Sequence, residues 1–203
     1  MTYSSVKKID IFMRFLLPAV VVVAIFYFYQ NPWLYENAVM PSTLATSTVS
    51  SAAIINNPTI LIIPSINLKA NIQHVGRTWS GSMAVPTNFT DVGWYDYGAT
   101  PGAVGSAVID GHVDNALGLR AVFANLNKLS PGDMIYVQDA SGTQATFKVT
   151  GTQIYEYNHA PLEKIFGATS TKALNLITCS GTWISADKTD SHRLVIYTEA
   201  VSS

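Results

Sequence analysis

The chain has 203 residues, 48% hydrophobic and only 12% charged, with a formal net charge of -1. That length fits one ordinary domain with a short appendage, and the charged fraction is well under the roughly 25% of an average soluble domain. Lys and Arg are scattered along the chain, which leaves no basic footprint for a nucleic-acid partner.

From the N-terminus, Ile11 to Tyr29 is apolar except for Arg14. From Phe15 onward the run is short for a bilayer, which needs about 20 residues. Snorkelling of Arg14 and a belt of Tyr27, Tyr29 and Trp33 make up the difference. Lys7, Lys8 and Arg14 precede most of the run, and Glu36 is the first charge after it. The positive-inside rule then sets the N-terminus in the cytoplasm and the bulk of the chain outside. A cleaved signal peptide needs a small-x-small site, whereas Tyr29-Gln30-Asn31-Pro32-Trp33 follows the run. Residues 1–35 are therefore expected to form a cytoplasmic N-terminus and one transmembrane anchor. Residues 36–57, rich in Ser and Thr and free of sustained periodicity, read as a linker.

Residues 58–203 read as one β-rich domain. Thr59–Ile63, Ala107–Asp110, Met134–Asp139, Gln144–Tyr155, Ala173–Thr178 and Leu194–Ala200 are short runs rich in Val, Ile, Tyr, Phe and Thr. Ser130-Pro131-Gly132-Asp133 and Asp139-Ala140-Ser141-Gly142 have turn chemistry. Only Leu119–Leu129 reads as helical, on Val122, Phe123, Leu126 and Leu129. Short strands with one or two small helices predict a closed or nearly closed β-barrel.

The single cysteine excludes an internal disulfide, and neither C-x-x-C nor H-E-x-x-H occurs. Cys179 ends the run L-N-L-I-T-C and is followed by Ser180-Gly181. His112 follows A-V-I-D-G, and Arg193 opens R-L-V-I-Y-T. Three reactive side chains at strand ends can meet on one barrel rim, and a thiol needs a base or cation beside it to act as a nucleophile. Taken singly, each has a plain alternative: an inert buried cysteine, a satisfied histidine, a surface arginine.

With these stretches in order, the chain resembles the sortase family, and most of all its class D, E and F members, class F first. The resemblance rests on L-I-I-P-S-I-N-L-K-A-N-I (Leu61–Ile72), V-G-W-Y (Val92–Tyr95) and P-G-A-V-G-S-A-V-I-D-G-H-V-D (Pro101–Asp114). It continues through V-F-A-N-L-N-K-L-S-P-G-D (Val122–Asp133), L-N-L-I-T-C-S-G (Leu174–Gly181) and R-L-V-I-Y-T (Arg193–Thr198). The family's T-L-x-T-C reads Asn175-Leu176-Ile177-Thr178-Cys179 here, with Asn for the first Thr, a change expected to leave the active centre intact.

The resemblance implies a mainly β, closed sortase-type barrel of about eight strands with one or two short helices, preceded by the transmembrane helix. It implies a cysteine transpeptidase that cleaves an L-P-x-T-G-like sorting signal through a thioester at Cys179. His112 would shuttle the proton and Arg193 would support the oxyanion. A one-residue shift along the strand would aim His192 inward instead of Arg193. Thr178 would support the site by a backbone or hydroxyl contact. The segment Tyr155–Thr171 would wall the groove for the Leu-Pro part, with Pro161, Leu162 and Ile165 against substrate; a short helix packed on the barrel fits the same residues. Asp114 reads either as a partner of the imidazole or as a solvated turn residue. Trp94 and Trp183 read as groove or packing residues, and His159 is given no catalytic role.

The implied partners are secreted surface proteins with a C-terminal sorting signal and an amine acceptor of cell wall or pilin, met by a membrane-anchored, outward-facing domain. No cofactor and no metal are expected. The alternative is a membrane-anchored β-barrel that binds peptides without turnover, and hydrolysis of the thioester competes with transfer.

Overall fold

The computed structural model describes residues 52–201. The expected transmembrane segment and most of the expected linker lie outside the described residues, among which no helix is long and apolar enough to cross a membrane. The last residues of the expected linker, Ala52–Asn57, lie on the barrel. Ile55 is fully buried, and its N–H donates to the Pro101 carbonyl.

Eight strands close into a barrel in the order β1-β2-β3-β4-β7-β8-β6-β5. They are β1 (Pro58–Ile63), β2 (Leu68–Val75), β3 (Val92–Tyr95), β4 (Gly105–Asp110), β5 (Met134–Asp139), β6 (Gln144–Glu156), β7 (Lys172–Ile184) and β8 (Thr189–Ala200). One short α-helix, α1 (Leu162–Phe166), precedes β7. β2 with β3 and β4 with β7 pair in parallel, and the remaining neighbours are antiparallel. The turns before β5 and β6 are fixed as their residues require. The Asp133 carboxylate accepts the Ser130 N–H, and Asp139 accepts those of Ser141 and Thr143.

Alternation sorts the side chains. Ala107 and Ile109 of β4, Leu174 and Leu176 of β7, and Leu194 and Ile196 of β8 point into the barrel, where they pack with Phe123, Phe147, Trp94 and Leu61. Val108, Ile177, Val195 and Tyr197 point outward and pack with Tyr95, Ile165, Phe166 and Met83. The same strands therefore carry two apolar faces: the barrel core, and a floor under α1 and the β2–β3 connection.

Three expectations need correction. Strands β2 and β3 exist although their runs read as neither strand nor helix. β2 interleaves Lys69, Asn71, Gln73 and His74 with its buried residues, and β3 is only V-G-W-Y. The expected helix over Leu119–Leu129 is a series of turns ending in one 3₁₀ turn at Leu126–Lys128. Phe123, Leu126 and Leu129 recur every three residues, and the Leu126 and Leu129 N–H groups bond three residues back, which is the 3₁₀ period rather than the α one. Finally, Ser180-Gly181 is not the end of a strand. β7 runs on to Ile184 with a register shift between Ser180 and Trp183, where Gly181 takes φ 91°. Such a bulge carries turn residues inside a strand, so Cys179 and Arg193 lie within the β7–β8 hairpin arms rather than at strand ends.

Candidate active site

Cys179 of β7 is directly opposite Arg193 of β8 in the antiparallel register, and both point outward. β4 runs parallel to β7, with Asp110 level with Ile177, so the chain leaving β4 carries His112 toward the level of Cys179. All three line one groove of about 720 Å³, together with Asp110, Ile177 and Thr178 of the floor. Leu162 and Phe166 of α1 form one side, and Arg77, Met83, Tyr95 and Tyr97 the other.

The three side chains are held in distinct ways. His112 Nε2 is 3.3 Å from the Pro86 carbonyl oxygen, and Phe89 packs on the ring at 5.0 Å between centroids. A carbonyl only accepts, so Nε2 carries the proton and Nδ1 is left as the basic nitrogen. The loop that supplies Pro86 and Phe89 is itself tied down at Asp91, which accepts from Asn88, Gln73 and Asn71. Those bonds, that of Gln73 first, hold the Asp91 carboxyl below its ordinary range.

The guanidinium of Arg193 donates from Nη1 to the Asp190 and His192 carbonyls and from Nη2 to Thr189 Oγ1. It also lies 5.8 Å from the Tyr157 ring centroid. Those bonds use three of the five N–H groups of an arginine and leave Nε–H and one Nη2–H for a ligand.

The Cys179 thiol is pushed above its ordinary pKa, chiefly by burial. Arg193 pulls it down, and the carboxylates of Asp190, Asp110 and Asp114 push it up. Burial thus favours the neutral thiol over the thiolate, and attack on a carbonyl calls for a base to take its proton. A soft nucleophile, a basic nitrogen and a fixed cation at one groove suit acyl transfer at a carbonyl carbon.

The other expected residues divide. Leu162 lines the groove, whereas Ile165 is buried beneath it and Pro161 sits at the start of α1, off the groove lining. Thr178 is buried, and its hydroxyl donates to the Gly111 carbonyl at 2.7 Å, which ties β7 to the turn carrying His112. His192 bonds Ser191 and does not line the groove. Trp94 packs in the barrel core, Trp183 is exposed on the bulge, and His159 pairs with Glu156 at the surface. Asp114 is bridged to Arg120 in the backbone and reaches Cys179 only as a distant charge.

Several residues escaped the sequence reading. Arg77 donates to the Tyr95 hydroxyl and stacks on Tyr95 and Tyr97 at the far end of the groove. Nothing in R-T-W-S-G-S-M signals a wall, because the chain returns there only through the parallel β2–β3 pair. Asn175 is buried and donates from Nδ2 to the Ile165 carbonyl at 2.7 Å, so it anchors α1. Asp110 had a visible signal: a carboxylate closing an otherwise apolar strand, A-V-I-D.

A family model described as "Sortase domain" matches residues 61–201. Among solved structures, the chain is similar to sortase A from Corynebacterium diphtheriae (lid mutant), at 21% identity and a TM-score of 0.56 over 75% of this chain and 73% of that one. It is similar to sortase C-1 from Actinomyces oris, at 25% identity and a TM-score of 0.53 over 71% and 73%. The lid mutant of Streptococcus agalactiae sortase C1 matches at 20% identity and a TM-score of 0.55 over 90% and 87%. No curated protein matches the chain.

Proposed function

The chain belongs to the sortase family and is a cysteine transpeptidase; from the groove we propose that Cys179, His112 and Arg193 carry its reaction on a sorting-signal peptide. The observation that carries this reading is the shared outward face: Cys179 opposite Arg193, with His112 on the same groove. Cys179 Sγ attacks the carbonyl between the Thr and Gly of an L-P-x-T-G-like signal and gives its proton to His112 Nδ1. Arg193 donates to the oxyanion, and such a donor lowers the barrier by roughly 3–4 kcal/mol. The C–N bond breaks, the leaving amine takes the proton back from His112, and a thioester remains. An amine of cell wall or pilin then attacks the thioester carbonyl as His112 takes its proton, the C–S bond breaks, and His112 returns the proton to Cys179 Sγ.

Substrate contacts are assigned to Leu162 and, through the Gly111 tether, to Thr178, while Ile165 and Pro161 act by holding α1. Among sortases, the stretches around Leu61–Ile72, Pro101–Asp114 and Arg193–Thr198 favour classes D, E and F, class F first. The apolar run Ile11–Tyr29 supports a single-pass anchor with the catalytic domain outside, where secreted surface proteins and the wall are found.

The test is to incubate the full-length chain with a fluorogenic L-P-x-T-G peptide, with and without an amine acceptor, beside Cys179→Ala. Cleavage lost in the variant, with a thioacyl adduct or an amine-joined product by mass spectrometry, is expected. Binding without cleavage across a peptide panel, and an unlabelled Cys179 with a thiol probe, would favour the peptide-binding module instead.

A further inference from the structure

The end of the groove away from the catalytic trio carries a cation that the mechanism does not use. Arg77 lines the groove at the shoulder of a short hairpin and is bridged to Met83 across the turn 78–82. The turn is fixed by the Thr78 N–H, which donates to the Ser82 carbonyl, and by the Gly81 N–H, which donates to the Thr78 carbonyl. The Arg77 side chain lies over the Tyr95 and Tyr97 rings, 5.7 and 5.6 Å from their centroids, and Nε donates to the Tyr95 hydroxyl. Those rings are neighbours, 6.0 Å apart and 31° from parallel, and Phe166 of α1 meets Tyr95 edge-on at 5.7 Å. Gly76 leaves room for the stack, since a Cβ there would come within 3.2 Å of the Tyr97 ring.

The guanidinium is held, but its terminal donors are not used. Stacking occupies the faces of the planar group, while its N–H groups point outward from the edge. Nε–H goes to Tyr95, and the four N–H groups on Nη1 and Nη2 have no hydrogen-bond partner among the described residues. The one ion pair among the described residues joins His159 to Glu156, so no carboxylate there serves Arg77. The residue is exposed as well as groove-lining, so a ligand can reach it. A fork of donors that is already ordered matches a carboxylate with two bonds at once and loses little freedom on binding.

Register sets which part of a bound peptide reaches this end. Trp94 is level with Ile109, and Ile109 with Leu176. Tyr95 is therefore level with Asn175, four residues behind Cys179 along the strands and two strands across. At about 3.3 Å per residue and about 4.8 Å per strand the separation is about 16 Å, which an extended peptide spans in about five residues. In an L-P-x-T-G-like signal the Thr is the first residue upstream of the scissile bond and the Leu is the fourth. The fifth is the residue before the Leu. Phe166 lines the side of the groove that faces the Leu-Pro part and touches Tyr95, so the peptide runs upstream toward Arg77. Resting on the proposed function, we propose that Arg77 is a specificity-determining residue: it binds a carboxylate side chain one or two residues before the Leu of the signal. Arg193 serves the scissile carbonyl, and Arg77 reads the substrate protein just outside the signal.

The experiment measures binding, by fluorescence anisotropy, of labelled peptides to the full-length Cys179→Ala protein. The L-P-x-T-G core is kept, and Glu, Gln or Lys is placed in turn at each of the four residues before the Leu. At the first or second of these the Glu peptide should bind about five- to tenfold more tightly than the Gln peptide, and the Lys peptide most weakly. Raising the salt from about 0.05 to about 0.5 M should shrink that preference, since the pair is open to solvent. Adding Arg77→Gln should bring the Glu and Gln peptides to within about twofold, and Arg77→Glu should reverse the order of the Glu and Lys peptides. In the enzyme that keeps Cys179, Arg77→Gln should raise KM for the Glu peptide with little change in kcat. A preference that is absent, that peaks at the third or fourth residue or that survives Arg77→Gln would overturn the assignment. So would equal weakening of all three peptides, which would make Arg77 a support of the wall only. Each of those results leaves the transpeptidase reading in place. Failure of every peptide to bind or turn over would sink the proposed function and this proposal with it.

Discussion

Strands β4, β7 and β8 present two apolar faces that look alike in sequence and differ in what they tolerate. Inside the barrel, Ala107, Ile109, Leu174, Leu176, Leu194 and Ile196 pack with other apolar side chains. Outside, Val108, Ile177 and Val195 share their face with Asp110, Cys179 and Arg193. The inner face is closed by the barrel, so a polar atom there has to be matched by the protein itself, as the buried Thr178 and Thr198 hydroxyls are by the Gly111 and Leu174 carbonyls. The outer face is closed only by α1 and the β2–β3 connection, which leave a groove, so polar atoms there can be completed by a ligand. Position on the strand, odd or even, decides which face a side chain serves, and only the outer face opens to a ligand.

Changes on each face should therefore fail in different ways. The largest effect is expected for His112→Ala, which removes the proton carrier of the outer face. Its kcat/KM should fall by about 10²–10⁴, while the urea midpoint stays within the small range of changes outside the core. A midpoint that collapses along with the rate would erase the distinction. The mirror experiment is Phe147→Ala, a fully buried side chain of the inner face. It should cost about 3–5 kcal/mol of stability and leave the activity of the folded fraction unchanged, as thiol-probe titration of Cys179 against turnover would show.

Asp110 sharpens the comparison through pH. Its carboxyl is raised from the ordinary 3.8 to about 7 by burial, so between those values the folded protein holds a proton that the unfolded chain has lost. Stability from this group is intact below about pH 4, declines as pH rises toward 7 and then levels off. The full loss is at most on the order of 4 kcal/mol. Asp110→Asn has no such proton. Urea unfolding at several pH values should show the variant gaining on the natural chain from pH 4 to 7. Parallel curves would mean the carboxyl is solvated in the folded state.

Much of this was legible beforehand, for reasons tied to particular residues. The six strands expected from β-branched runs are present because each has at least one buried face made of those residues, and the two Asp-containing turns lead into β5 and join it to β6. Cys179, His112 and Arg193 reach one groove because β4, β7 and β8 are neighbours. The parallel β2–β3 pair was hidden, since its partners are sixteen residues of connection apart and polar residues interrupt both faces. The wall made by Arg77, Met83 and Tyr97 was hidden with it. The 3₁₀ turn at Leu126–Lys128 passed for a helix because apolar residues at 122, 123, 126 and 129 satisfy both periods. Ser180-Gly181 passed for a loop because a bulge and a turn use the same residues.

Asn175 tests where the two faces meet. In the strand L-N-L-I-T-C it alternates outward with Ile177 and Cys179, yet it is nearly as buried as the core, at 2% exposure. Its amide donates to the Ile165 carbonyl, so the outer face is closed at this end by a bond to α1 rather than by apolar contact alone. The substitution of Asn for the Thr of the family pattern thus has a local use that its position along the strand did not reveal: a longer side chain that reaches the α1 backbone. Asn175→Ala leaves that carbonyl without its buried donor and should cost about 1–3 kcal/mol. Because α1 carries Leu162 and Phe166 into the groove, the loss should also loosen the wall. KM for the sorting peptide should rise several-fold with kcat little changed, and amide exchange should quicken at Ile165 and Phe166 but not in β5. Asn175→Thr, with its shorter hydroxyl, should recover only part of both effects. If exchange in α1 is unchanged while stability falls, Asn175 belongs with the core, and the boundary between the faces runs between Asn175 and Ile177 instead of beneath α1.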